Sequence, residues 1–579
     1  EALDRVQREL RELTGTTVLI YDQTCAAEKR RRRKRGTFPD PDKRVFINEL
    51  VCEGCGDCGV KSNCVSVQPV ETEFGRKRMI DQSSCNKDFS CLNGFCPSFV
   101  TVRGGKPRKQ KGVGKGETEG PRLVLPEPEL PTLDQPYGIL ITGIGGTGVI
   151  TIGALLATAA HIEGKAATIM DMTGLAQKGG AVWSHLRLAN APDDLHAVRI
   201  AAGGARLLLG CDLVVSSQPD SVSKLERGVS RAVINTHRTF TGEFTRNPDM
   251  AFPDDALRSR ISAAVGEEGA DFIEATRLAT ALMGDSIATN LFMTGFAWQR
   301  GLIPISLQAI EQAIELNGVA IEANKRAFEW GRRAAADAAA VERAVAPVAA
   351  PEKVAFASSL DEIVATRKDF LKDYQSGRYA KRYEALVRKA EAAEKDGAKG
   401  RTGLAEAVAR NYFKLLAYKD EYEVARLYAG AGGHFRKALE KQFEGDYRIE
   451  FNLAPPLIAK TNKETGEPRK IVYGPWMLKA FGVLSLLKVL RGTPLDPFGK
   501  TEERRTERRL IKDYEATVAE LLKGLTAENH AAAVEVARVP DQIRGFGHVK
   551  LATLEKAKKR EAELIERFRN PMRQAAAAE

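Results

Sequence analysis

The chain has 579 residues, is 43% hydrophobic and carries a net charge of +11, so it is too long for one core and apolar enough for about 3–5 folded domains. No stretch approaches the ~18 apolar residues of a membrane span. Its two basic runs, Lys29–Arg35 and Arg103–Lys115, lack the interleaved aromatics of a nucleic-acid surface, so no membrane and no nucleic-acid partner is expected and the chain reads as cytoplasmic.

Residues 1–43 begin with a helical pattern, Leu3 to Leu13, followed by an apolar run, Thr17-Val-Leu-Ile-Tyr21, predicted to be a strand. This fragment is too small to bury a core and reads as the tail of a domain. Residues 44–102 hold seven of the nine cysteines, and such clustering in a long chain points to metal or redox chemistry rather than disulfides. Cys25 and Cys211 stand alone and read as small buried hydrophobes. Residues 103–132, rich in Gly, Lys, Pro and Glu, read as a linker.

Residues 133–333 alternate strand, turn and helix. The predicted order is strand Gly138–Thr142, a glycine turn, helix Val149–His161, and strands Ala166–Met170, Ala181–Leu188, Asp212–Val215 and Ala232–Asn235, with helices from Asp255 to about residue 330. That alternation argues for a Rossmann-like α/β sheet domain. The Ala-rich stretch 334–357 is expected to be a second linker. Residues 358–579 read as a mostly helical domain with a β-like interruption from Tyr447 to Tyr473, which makes the whole a multidomain α/β protein.

The cysteine runs carry the chemistry. The first is Cys52-x2-Cys55-x2-Cys58-x5-Cys64 and the second is Cys85-x5-Cys91-x4-Cys96, followed directly by Pro97. Cysteines two apart along a tight turn aim several thiolates at one point, as an iron–sulfur cluster requires, and Gly54, Gly56 and Gly59 let the backbone wrap closely. The arrangement is similar, in degenerate form, to two-cluster bacterial ferredoxins, in which the last cysteine of each run serves the other cluster. By that crossover, Cys52, Cys55, Cys58 and Cys96 would hold one [4Fe-4S] cluster. Cys64, Cys85 and Cys91 remain for a second, with Asp88 at the position of its fourth ligand. A zinc site is the competing reading, but zinc sites favour two C-x2-C pairs over a C-x2-C-x2-C triplet.

The turn Gly143-Ile-Gly145-Gly146-Thr-Gly148, with Asp171 following the next strand 23 residues past Gly148, fits the dinucleotide fingerprint by position. On that reading the glycines admit a diphosphate and Asp171 meets a ribose, which would suit an NAD- or flavin-linked electron-transfer subunit. The alternative is that the glycines only let strand and helix pack closely. Dispersed histidines and the lack of any catalytic triad or paired carboxylates leave no visible centre for breaking a carbon bond, so no catalytic residue is assigned.

Several segments resemble the indolepyruvate ferredoxin oxidoreductases, a branch of the 2-oxoacid:ferredoxin oxidoreductases. Tyr21-Asp-Gln-Thr-Cys25 with the basic run to Gly36 resembles the end of their thiamine-diphosphate domain. Cys52-Glu-Gly-Cys-Gly-Asp-Cys-Gly59 resembles their iron–sulfur insert, and Gly143–Gly148 with Gln177-Lys-Gly-Gly180 resembles their gamma-type catalytic domain. The resemblance implies oxidative decarboxylation of an aromatic 2-oxoacid on thiamine diphosphate and Mg2+, with the acyl group passing to coenzyme A and electrons passing through [4Fe-4S] to ferredoxin. It implies an upstream thiamine-binding half as partner, no activity without that half, and a homo-oligomer. The gamma-type domain is not known as an NAD site, which favours packing for the glycine turn. A non-catalytic zinc-binding interaction module remains the third reading.

Overall fold

The computed structural model describes residues 2–108, 125–174, 179–349, 356–455 and 468–570. Ala2–Glu12 (α1) is helical and buries none of its side chains. The run Thr17–Tyr21 is not a strand; Val18, Ile20 and Tyr21 stay exposed. Apolar β-formers make a strand only where a neighbouring edge accepts their hydrogen bonds, and none among the described residues does. The basic run folds as the helix Ala26–Lys34 (α2).

In the cysteine segment come Arg44–Ile47 (β1), Asp57–Ser62 (α3), the hairpin Val67–Thr72 (β2) and Gly75–Ile80 (β3), and Phe99–Arg103 (β4). β1 and β4 pair antiparallel, with Phe46 opposite Val100. A two-residue strand, Lys106–Pro107 (β5), follows.

The next domain is built on Tyr137–Ile144 (β6), Val149–Ile162 (α4), Ala166–Thr173 (β7), Ala181–Ala189 (β8), Ala205–Gly210 (β9), Arg231–Asn235 (β10) and Ala270–Ile273 (β11). Its sheet has the order β11-β10-β9-β6-β8-β7. β6, β9, β10 and β11 run parallel, while β8 is antiparallel to both β6 and β7. The predicted strand Asp212–Val215 is instead a helical turn, Leu213–Ser216, because the Asp212 carboxylate accepts the Val215 N–H at 2.9 Å and caps it; the strand lies just before it. Behind the sheet, helices Thr289–Gln299 and Ile321–Ala336 pack so closely that a Cβ on Gly295 or Gly331 would run into the backbone opposite. The stretch expected as a linker at 334–357 holds the helix Ala338–Ala349, which buries Val341 and Val345 in the domain core. Spacing of four residues puts both valines on one face, which is why an Ala-rich segment docks.

The C-terminal region packs the helices Leu360–Tyr374, Gly377–Gly397, Leu404–Leu416, Glu502–Lys523, His530–Arg538 and Gly547–Arg569 around one core. Ser359 starts the first of them with a capping box, its hydroxyl accepting the Glu362 N–H. Within this region, Phe443–Glu444 (β12) pairs with β5. Arg448–Leu453 (β13) and Ile471–Tyr473 (β14) extend the sheet of the cysteine segment, giving the order β1-β4-β13-β14. Glu450 lies opposite Thr101 and Phe451 opposite Val100. The boundary drawn in sequence between the cysteine segment and the helical region is thus crossed in space by one sheet and one core. No helix among the described residues is long and apolar enough to cross a membrane.

Candidate metal centre

The first cysteine run is a turn followed by a short helix. Gly54 and Gly56 have φ of +69° and +81°, a left-handed backbone that side chains rarely adopt. At Gly56 there is also no room, since a Cβ would stand 2.6 Å from Pro248 Cβ. Gly56 then begins α3, whose first turn carries Cys58. The Gly54 N–H donates to Cys52 Sγ at 3.3 Å, and in the second run the Lys87 N–H donates to Cys85 Sγ at 3.4 Å. Amide donors on sulfur favour thiolates. The runs are tied together where the Asp57 carboxylate accepts the Phe95 N–H at 2.6 Å.

Two sets of thiols emerge. Cys96, Cys52 and Asp57 act on Cys55; Cys52, Cys55 and Cys96 act on Cys58 along with Arg78; and Cys52 acts on Cys96 along with Lys470. Those acting on Cys91 belong to Cys85, Cys64 and Asp88. Asp88 is exposed, and its carboxylate accepts both the N–H and the hydroxyl of Ser90. Cys52, Cys58, Cys91 and Cys96 are buried, while Cys55, Cys64 and Cys85 are half-buried. Burial and then mutual repulsion push the thiols of Cys55, Cys58, Cys91 and Cys96 up, Cys91 to about 12 and Cys96 to about 11. Among the described residues no three His, Cys, Asp or Glu side chains are set at the separation of a metal site. Buried thiols need a cation to become thiolate ligands, and that is the chemistry an iron–sulfur group would supply to them.

Cations and hydrogen-bond donors surround the first set. The buried Arg78 guanidinium acts on Cys52, Cys58 and Cys55, donates to the Pro248 carbonyl at 2.9 Å and lies over the Phe244 ring. Lys419 donates to the carbonyls of Cys52 and Val51 and pairs with Glu53 at 2.7 Å. Although burial raises Glu53, Lys419 and Lys77 hold its carboxyl well below the usual range; burial lowers Lys77 to about 8. Beside Glu53, a small pocket of about 20 Å³ is lined by Lys414, Glu507 and Lys550, room for about one water. The Tyr428 hydroxyl donates to the Pro97 carbonyl at 2.7 Å. Lys419, Tyr428 and Lys470, described below, are not recognisable from sequence, because each lies hundreds of residues from the cysteines it meets. Arg78 and Asp57 lie close by in sequence but in no metal-ligand spacing.

At the glycine turn, Gly146 and Gly148 have φ of +86° and +98°. A Cβ on Gly143 would meet Val149 Cγ2 at 2.6 Å and Cys211 Cβ at 3.2 Å, and the Gly145 N–H donates to the Gly180 carbonyl. Asn290 donates to the Thr147 carbonyl at 3.0 Å. The turn is therefore occupied by its own neighbours on several sides. Asp171 is on β7, with β8 inserted between that strand and β6, so it does not stand on the strand next to the turn as the dinucleotide pattern requires. The resemblance around Gln177 and Lys178 falls outside the described residues.

Residues 138–334 match the model of the pyruvate ferredoxin/flavodoxin oxidoreductase family, and residues 360–563 match a family of unknown function (DUF6537). Indolepyruvate oxidoreductase subunit IorB of Pyrococcus horikoshii is 27% identical over 207 residues, 34% of this chain and 96% of the relative. Its counterpart from Archaeoglobus fulgidus is 22% identical over 202 residues, 33% of this chain and 92% of the relative. Pyruvate oxidoreductase subunit PORC from Thermotoga maritima, a solved structure, aligns at 23% identity over 34% of this chain and 96% of that chain, with a TM-score of 0.26.

Proposed function

With residues 138–334 as a pyruvate ferredoxin/flavodoxin oxidoreductase domain in a chain of the indolepyruvate ferredoxin oxidoreductase type, we propose that this protein is the electron-exit part of an enzyme that oxidises an aromatic 2-oxoacid to its acyl-coenzyme A. Thiamine diphosphate with Mg2+ would supply the carbanion chemistry from a thiamine-binding partner region, and iron–sulfur clusters would supply one-electron carriers. Cys52, Cys55, Cys58 and Cys96 would hold the first cluster, and Cys64, Cys85 and Cys91, with Asp88 nearby, a second. Ferredoxin or a similar carrier would receive the electrons.

One observation carries this reading: the cysteine turn is seated directly on the oxidoreductase domain. Arg76 donates to the Met250 carbonyl at 2.8 Å, Arg78 to Pro248 at 2.9 Å, and Thr245 to the Asn63 side chain at 3.1 Å. These contacts fix the thiols against that domain, as electron passage between the two would demand. Burial of Cys52, Cys58 and Cys96 keeps water from most of the first set, and Arg78 supplies charge to balance its thiolates. Mixing this chain with the thiamine-binding region should give coenzyme A-dependent reduction of a viologen dye by indolepyruvate. Dye reduction that proceeds equally well without this chain would refute the assignment.

A further inference from the structure

We propose that Lys470, supplied by the C-terminal region of unknown function, is the positioning cation of both cysteine groups: it pins the loop joining them and raises the potential at which they take up an electron. The inference rests on the iron–sulfur reading of the cysteines.

Lys470 sits just before the edge strand β14, and its ammonium reaches across to the second cysteine run. It donates to the Leu92 carbonyl at 3.1 Å and to the Gly94 carbonyl, and lies 5.0 Å from the centre of the Phe99 ring. Leu92 and Gly94 fall between Cys91, of the second thiol set, and Cys96, of the first. One side chain thus holds the short loop whose two ends belong to different sets. Gly94 itself is pressed on the first set, since a Cβ there would stand 2.8 Å from Cys58 Cα. The groups whose charge acts on the ammonium are Cys96, Cys58, Asp57 and Cys91, so members of both sets are among them. Burial lowers the pKa of Lys470 and these groups offset only part of that cost, whereas the charges acting most strongly on the buried Lys414 and Lys550 are carboxylates and other cations rather than thiols.

The region that carries Lys470 is fitted to this task elsewhere too. β13 adds two strands' worth of backbone pairing with β14 to the cysteine segment's sheet, Asn452 donates to Phe99 and Thr101, and Tyr428 holds Pro97 next to Cys96. A fixed positive charge in a dry site favours the more negative, reduced form of a nearby thiolate-bound cluster, so it raises the reduction potential. One electron enters the cluster from the donor and none is shared with Lys470; the lysine changes only the free energy of that transfer.

The test uses the full chain, purified without oxygen, as wild type, Lys470→Gln and Lys470→Arg. Circular dichroism and a thermal transition establish folding, iron and sulfide analysis establishes loading, and a redox titration followed by electron paramagnetic resonance gives the midpoint. At the wild-type midpoint, the Gln variant should show an oxidised-to-reduced ratio about tenfold higher, equivalent to ~59 mV for one electron, and the Arg variant should stay within about twofold of wild type. A folded Gln variant that fails to load iron while the Arg variant loads normally supports the same role, through the loop clamp. A Gln variant titrating with the wild type overturns the proposal, as does an Arg variant that shifts or loses iron as far as the Gln variant, or a Gln variant that does not fold. Wild-type protein without iron or sulfide instead sinks the cluster reading itself, and this is seen before any variant is compared.

Discussion

The glycine-turn domain and the cysteine segment both announce themselves by short glycine-bearing motifs, yet they are stabilised in opposite ways. Every residue of the two cores that flank the six-stranded sheet comes from one continuous stretch, from Leu133 to Val345. The core around the cysteines draws Val45 to Val102 from one end of the chain and Val424 to Phe546 from the other. The first is a local solution, a mixed sheet with helices laid back over it. In the second, a two-stranded scaffold is too small to bury its own face and borrows strands, aromatic rings and cations.

The sharpest way to break this contrast is to separate the parts. Residues 125–349 expressed alone should unfold in one cooperative thermal transition, whereas residues 40–108 alone should show none, because half their sheet is missing. A cooperative transition in the shorter fragment would show that the cysteine segment stands by itself. Next in size is Phe451→Ala. This fully buried ring packs on Tyr428, Phe435 and Phe481, and its loss should cost about 3–5 kcal/mol. Denaturant titration should place that loss on the unfolding of the cysteine module, with hydrogen exchange in β6 and β9 unchanged.

A comparable effect with a pH signature is expected at Glu507, which is buried between Lys550 and Arg504. Burial raises its pKa, but the two cations win and hold the carboxyl below its ordinary value. With the native value depressed, the stabilisation is complete above the unfolded Glu value of about 4.3 and is lost as pH falls through the native one. Glu507→Gln should therefore cost up to about 3–5 kcal/mol near neutral pH, and chemical denaturation should show the difference from wild type shrinking in acid. The smallest expected change is Tyr428→Phe, which removes the hydroxyl donating to Pro97 and should cost about 1–3 kcal/mol by leaving a partly buried carbonyl unpaired. A melt indistinguishable from wild type would mean that this carbonyl finds another donor.

The same contrast explains what could be read in advance. β6, α4, β7, β8 and β10 are legible because each has an apolar run or period of its own, bounded by glycine or polar turns. β9 escapes notice because Cys211-Asp212 follows it directly, so the apolar run continues past the strand into a capped turn. Thr17–Tyr21 misleads for the complementary reason, having strand composition but no edge to join. The two proposed thiol sets are drawn from spacing along the chain alone, by the crossover of two-cluster ferredoxins. Lys470, Lys419 and Tyr428 follow from no local pattern, because what brings them to the cysteines is the pairing of β4 with β13 across most of the chain. The insertion of β8 between β6 and β7 is likewise a matter of sheet order, which is why Asp171 satisfies the linear fingerprint and not its geometry.

The account turns on iron bound by these thiols, and metal analysis of the anaerobically purified chain tests it most directly. Iron and acid-labile sulfide in near-equal amounts, both lost when Cys52, Cys55 and Cys58 are replaced by serine, are the expected result. Stoichiometric zinc with no sulfide would contradict it.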